Sequence, residues 1–258
     1  PPGSTILPYA TLFRFPCTHG GNERFPGATI TFALMEKLED IAEKEPQQAR
    51  IVLEARANKL LKDAEGKVIG IEYLKNNQTF TEYGPVVFCT GGYAADFSDD
   101  SIIKKYRPDL LHLPTTNGEW STGDGVKMTL AAGGNAVDLE KVQVHPTGLV
   151  HPDEPDAKVK FLAAEAPRGV GGLLLDREGQ RFADDLGTRD YVTGRMWEHN
   201  KPPYRLVLNS GAGREIEWHV KHYQARGLMK FYKSGHELAR DMGISAQQLQ
   251  ASFAKYND

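Results

Sequence analysis

Residues 59–92 read KLLKDAEGKVIGIEYLKNNQTFTEYGPVVFCTGG, and this stretch decides the fold class. Three β-type runs, Lys59–Lys62, Val68–Leu74 and Gln78–Tyr83, are separated by the turn formers Asp63-Ala64-Glu65-Gly66 and Lys75-Asn76-Asn77. Short runs of this kind between such turns predict a small antiparallel meander, with Arg50–Leu53 as a further strand ahead of it. The apolar run Val86-Val87-Phe88-Cys89 then ends abruptly at Thr90-Gly91-Gly92. That pattern predicts a buried strand running into paired glycines, where the backbone can approach another molecule closely.

On the N-terminal side, Ile30, Leu34, Leu38 and Ile41 recur at helical spacing between charged residues, which predicts a helix over 28–45. On the C-terminal side, a helix is expected over 123–132 and strands over 172–176 and 204–208. Further helices are expected over 189–198, 214–223, 236–242 and 246–256, the last capped by Ser245. Strands alternating with helices make this an α/β chain, with an α+β second part.

Composition narrows the function. The 258 residues carry 34 acidic and 31 basic side chains, a formal net charge of -3. That balance gives no reason to expect nucleic acid or a membrane surface as partner. No run approaches the roughly 20 apolar residues of a membrane span. Two cysteines, Cys17 and Cys89, make neither a disulfide framework nor a Cys-rich metal site. A reducing compartment, cytoplasmic or mitochondrial, is the expectation. A start at Pro1-Pro2-Gly3 without Met points to a fragment or a processed chain.

Reactive side chains concentrate between His145 and Asp190. They comprise Gln143-Val144-His145-Pro146-Thr147-Gly148, Glu165-Ala166-Pro167-Arg168-Gly169, Gly171-Gly172 and Gly187-Thr188-Arg189-Asp190. Taken singly, each has an ordinary structural explanation: a satisfied histidine, an i,i+3 ion pair, a helix start. Taken in this order, they resemble the active-site segment of the succinate dehydrogenase, fumarate reductase and L-aspartate oxidase flavoproteins. The wording Leu162-Ala163-Ala164-Glu165 and Gly172-Leu173-Leu174-Leu175-Asp176 is most similar to the soluble FAD-dependent fumarate reductases.

The resemblance implies FAD as cofactor, a small dicarboxylate as substrate and reduction of fumarate to succinate, with an electron donor that the residues do not name. It implies Arg189 as proton donor, with Glu165 and Arg168 as the catalytic relay that reprotonates it. His145, Thr147 and Glu165 would bind substrate. Thr90, Gly91, Gly92 and Asp124 (within Gly123-Asp124-Gly125) would lie against the cofactor. Residues 1–143 would form part of an FAD-binding domain and 144–258 a capping domain. Where many members have Thr before the relay acid, this chain has Ala164.

Other features point to an alternative, a catalytically incompetent fragment or homologue; an L-aspartate-oxidising or succinate-oxidising relative is the nearer rival. The first 30 residues hold no Gly-x-Gly-x-x-Gly turn for a pyrophosphate. Thr18-His19-Gly20-Gly21 stands where the soluble enzymes usually have Thr-His-Arg, and the chain ends before a second substrate His and a flavin-side Arg. A polypeptide of this length is therefore expected to be colourless or weakly flavinylated. The strand-turn-helix at 204–213 imitates a dinucleotide motif, but Ile216 occupies the third glycine's place; a helix N-terminus in the cap is the better reading.

Overall fold

The computed structural model describes residues 26–257. Cys17 and the segment Thr18-His19-Gly20-Gly21 lie outside those residues. The chain divides between Val86 and Val87 into two compact units.

The first unit holds helix α1 (Pro26–Lys44) and three strands, β1 (Arg56–Lys62), β2 (Val68–Lys75) and β3 (Gln78–Tyr83). They form the expected antiparallel meander, in the order β1-β2-β3. Left-handed Asn76 and Asn77, with φ of 50° and 59°, close the β2–β3 hairpin. Facing residues Tyr73 and Phe80 stack across it, with ring centroids 5.5 Å apart. Gly70 is required in β2, because a Cβ there would stand 2.3 Å from the Glu82 carbonyl oxygen.

Two expectations fail in this unit. Residues 50–53 form no strand; Arg50 instead pairs with Glu82 through its side chain. The apolar stripe of α1 is also not a core face: Ile30, Leu34 and Leu38 stay 40%, 68% and 48% exposed. Helical spacing created the stripe, but nothing among the described residues covers it.

The apolar run Val86–Cys89 spans the boundary between the first unit and the second and forms no strand with any described residue, and Cys89 is exposed. A β ladder needs a partner strand, and none of the described strands lies beside this run. Helix α2 (Ile102–Tyr106) follows, capped by the Ser101 hydroxyl, and then α3 (Asp124–Ala131). Beyond α3 comes a two-residue ribbon of β4 (Gly148–Leu149) and β5 (Phe161–Leu162), and one turn of helix, α4 (Ala166–Gly169). None of α2, β4, β5 or α4 carries a sequence signal long enough to predict.

The core of this unit is built on Leu173-Leu174-Leu175, strand β6, paired antiparallel with β7 (Arg205–Val207). Side chains alternate across a strand, so the three leucines serve two cores. Leu173 and Leu175 pack against Leu238, Ala239, Met242 and Leu249, while Leu174 packs against Phe182 and Val192. Helix α5 (Arg189–His199) supplies Val192. Helices α8 (Gly235–Met242) and α9 (Ala246–Asn257) supply the first cluster. The Ser245 hydroxyl accepts the Gln248 N–H at 3.1 Å, the cap expected for α9.

The single helix expected over 214–223 is two, α6 (Ser210–Glu215) and α7 (Glu217–Ala225), broken at Ile216. The dinucleotide-like turn after β7 is a capped helix start, with Asn209 Oδ1 accepting the Ala212 N–H at 2.8 Å. Among the described residues no helix is long and apolar enough to cross a membrane. None of their His, Cys, Asp and Glu side chains form a group of three or more able to hold a metal ion.

Candidate active site

Helix α5 organises the site. Thr188 caps it, its hydroxyl accepting the Tyr191 N–H, which fixes Arg189 as the first helical residue. One turn on, the Thr193 hydroxyl donates to the Val144 carbonyl at 3.0 Å. This bond draws the segment 143–145 against the helix start. Gln143 and His145 flank Val144, and both side chains reach the pair formed by Arg189 and Glu165.

Four side chains then converge. Arg189 Nε donates to Glu165 Oε1 at 2.5 Å, and a terminal guanidinium nitrogen donates to Gln143 Oε1 at 2.8 Å. His145 Nε2 lies 3.0 Å from the same Glu165 oxygen. The tautomer follows from the other ring nitrogen. Nδ1 faces the Thr147 main-chain N–H at 3.2 Å, a group that can only donate. Nδ1 is therefore the acceptor and the proton sits on Nε2, pointing at Glu165.

The electrostatics match this geometry. The Arg189 hydrogen bond, helped by His145 and opposed by partial burial, draws the Glu165 carboxyl down to about 2. Glu165 in turn tightens the hold of Arg189 on its proton. Burial outweighs the neighbouring carboxylate at His145 and pushes its imidazole below the usual histidine range. At neutral pH the cluster is thus a guanidinium, a carboxylate and a neutral imidazole.

Two expected site residues stand apart from this cluster. Thr147 is buried, its hydroxyl 3.1 Å from His145 Nδ1 and 3.4 Å from the Ala163 carbonyl. It braces the imidazole from behind. Arg168, also buried, does not pair with Glu165; it donates to the Asp185 and Gly187 carbonyls at 2.7 and 3.0 Å. Those carbonyls belong to the turn that leads into Thr188 and Arg189. Its Nε has no hydrogen-bond partner. Gln143, bonded to Arg189, and Tyr223, whose hydroxyl accepts the Ala164 N–H at 3.0 Å, join the site without having been assigned roles from sequence. Gln143 was legible as a neighbour of His145, whereas Tyr223 is far along the chain and carried no signal.

The glycine elements expected at a cofactor also come together. Gly123 N–H donates to the Gly92 carbonyl at 3.0 Å. A Cβ on Gly125 would stand 2.1 Å from the Thr90 hydroxyl, so the 90–92 turn lies directly on the start of α3. Gly91 is left-handed, with φ of +75°, and a Cβ on Gly91 or Gly92 would meet nothing within 4 Å. Asp124 accepts a hydrogen bond from the Thr122 hydroxyl at 2.9 Å. An open glycine turn beside the N-terminus of a helix fits one edge of a phosphate-bearing cofactor.

Residues 11–258 match the family model described as FAD binding domain. The chain belongs to the FAD-binding domain family. FAD is the cofactor of that family, and the open turn at residues 90–92 agrees with it. A fumarate reductase of Schizosaccharomyces pombe is 47% identical over 94% of this chain and 48% of its own length. Fumarate reductase 1 of Saccharomyces cerevisiae is 38% identical over 69% of this chain and 38% of its own length. The chain thus spans about half or less of the curated relatives it matches. The open form of a flavocytochrome c3 fumarate reductase shares its fold, with a TM-score of 0.63 over 93% of this chain and 39% of that one, at 24% identity.

Proposed function

We propose that the protein carrying this chain reduces fumarate to succinate with FAD, and that the cluster around Glu165 is where the substrate is held and protonated. The observation that carries this reading is the convergence of Arg189, Glu165, His145 and Gln143 from three separate segments onto a few ångströms. Its support from outside the geometry is the pair of fumarate reductases to which the chain is 47% and 38% identical. We take residues 1–143 as part of the FAD-binding domain and 144–258 as the cap.

Fumarate is a planar dianion, so its site needs cations and fixed donors that orient both carboxylates. Arg189 supplies the cation, and the neutral His145 beside it would turn its Nε2–H from Glu165 to a substrate carboxylate. Reduced FAD, when bound, supplies a hydride to one alkene carbon. The other carbon takes a proton as the double bond becomes single, and Arg189 donates it. A guanidinium parts with a proton only to a strongly basic partner, which a carbon gathering negative charge provides. Glu165, bonded to Arg189 Nε and half exposed, returns a proton from solvent. The turn Thr90-Gly91-Gly92 and Asp124 would hold an edge of the cofactor.

The experiment is steady-state turnover of the full-length, FAD-loaded protein with fumarate and with L-aspartate. Arg189→Ala and Arg189→Lys are expected to abolish most fumarate reduction. Unchanged turnover in either variant overturns the assignment of Arg189, and preference for L-aspartate overturns the substrate.

A further inference from the structure

Glu165 is the hub of the cluster, yet its side chain is half exposed and gains little from packing, so its aim depends on its backbone. We propose that Tyr223, on α7, is a positioning residue for Glu165, its hydroxyl fixing the peptide group just before the carboxylate. The proposal rests on the catalytic reading of Glu165 given above.

Hydrogen bonds on either side hold the chain there. The Ala163 N–H donates to the Thr147 carbonyl at 3.0 Å, and the Glu165 carbonyl accepts from the Arg168 and Gly169 N–H groups at 3.0 and 2.9 Å. The first joins the segment to the His145 turn and the others are local to α4. Between them, the Ala164 N–H donates to the Tyr223 hydroxyl at 3.0 Å, across 59 positions of sequence. Of these bonds it alone comes from outside residues 147–169.

The phenol is well placed to hold that position. Tyr223 is 3% exposed. Its ring meets Phe161 edge-on, centroids 5.9 Å apart at 76°. Phe161 belongs to the β4–β5 ribbon, paired with Leu149, and the same ribbon joins Thr147 to Ala163. The ring therefore rests on the ribbon while the hydroxyl reaches one residue past it. A phenylalanine would keep the ring contact and leave the Ala164 N–H without an acceptor. Relaxation of that peptide would turn Glu165 away from Arg189 Nε and His145 Nε2. Catalytic groups tolerate little displacement of this kind.

The test uses Tyr223→Phe and a control, Phe161→Leu, in the full-length FAD-loaded protein. Tyr223→Phe is expected to lower kcat for fumarate roughly tenfold to a hundredfold, with KM changed less than about threefold. It should also move the Glu165 carboxyl titration, read by carbon-13 NMR, upward toward the ordinary carboxylate range. Phe161→Leu should lower the melting temperature without that movement. A Tyr223→Phe protein with unchanged kcat and unchanged Glu165 titration overturns the proposal, as does an equal titration shift in Phe161→Leu. If Tyr223→Phe does not fold, amide hydrogen exchange in the unmutated protein decides: Ala164 is expected to be protected, and rapid exchange there overturns the proposal. A Glu165 titration that moves in Tyr223→Phe while Glu165→Gln retains full turnover would uphold the positioning and sink the catalytic reading instead.

Discussion

One oxygen of Glu165 receives hydrogen bonds from both Arg189 and His145, and its carboxyl is held at about 2 against an ordinary 4.5. A carboxyl depressed in the folded state stabilises the fold above its unfolded pKa and loses that contribution as pH falls toward the folded value. Both members of the ion pair are substantially exposed, 48% for Glu165 and 40% for Arg189. The stabilisation is therefore of the surface kind, under about 1 kcal/mol. Glu165→Gln is expected to be slightly less stable than the parent near about pH 6, with the gap closing toward about pH 2. Denaturant melts at the two pH values measure it, and a constant gap contradicts the assignment. Thr147 offers a second check. Thr147→Val removes a buried hydroxyl and should cost about 1 kcal/mol. The main-chain N–H still fixes the imidazole tautomer, so affinity for fumarate should scarcely change. A loss as large as that of His145→Ala would instead put Thr147 on the substrate.

At the scale of elements, the cap of α5 bears directly on the site, because Thr188 immediately precedes Arg189. Thr188→Ala is expected to cost about 1 kcal/mol and to reduce turnover, while Thr188→Asp, which can still cap, should restore both. Equal behaviour of the two variants in melting and turnover assays would show that the cap does not aim Arg189. The same helix shows what a sequence can and cannot reveal. Its start was legible, since Thr-Arg-Asp after a glycine is a recognisable opening. So was the meander, where Asn76-Asn77 and Gly66 punctuate β-type runs. Burial was less so: α1 has a regular apolar stripe that stays exposed, and Val86–Cys89 is as apolar as a core strand yet pairs with none of the described strands. Periodicity reports what a segment could bury, and only a partner in space decides whether it does. The grouping of His145, Glu165 and Arg189 was expected only through the family resemblance that their order carries, since each alone has an ordinary structural explanation. The bonds of Arg168 to the 185–187 turn and of Tyr223 to Ala164 join distant main-chain atoms, which carry no side-chain signature.

For the whole molecule, the question is how much of FAD this chain can hold. Among the described residues, the glycine surface that fits the cofactor is one exposed turn, Thr90-Gly91-Gly92, laid on the first turn of α3. Its geometry is firmly set: Asp96, buried beside it, pairs with Lys127 of α3 at 2.7 Å. Burial alone would raise the Asp96 carboxyl, but the bonds from Lys127 and Ser98 outweigh it and draw it down. The turn and the helix are therefore locked together before any cofactor arrives. Preorganisation reduces the cost of binding, but it does not replace contact area. A dinucleotide met along one edge keeps most of its surface in water. A polypeptide of these 258 residues is accordingly expected to bind FAD weakly and to lose it on gel filtration. Gly125→Ala should weaken it further, since the new methyl would drive the Thr90 hydroxyl off α3. The flavin absorbance retained after gel filtration, at equal protein concentration, measures both effects. A stoichiometrically yellow parent would show that this edge, together with residues outside 26–257, suffices to hold the cofactor. A Gly125→Ala protein as yellow as its parent would move the cofactor away from the 90–92 turn altogether.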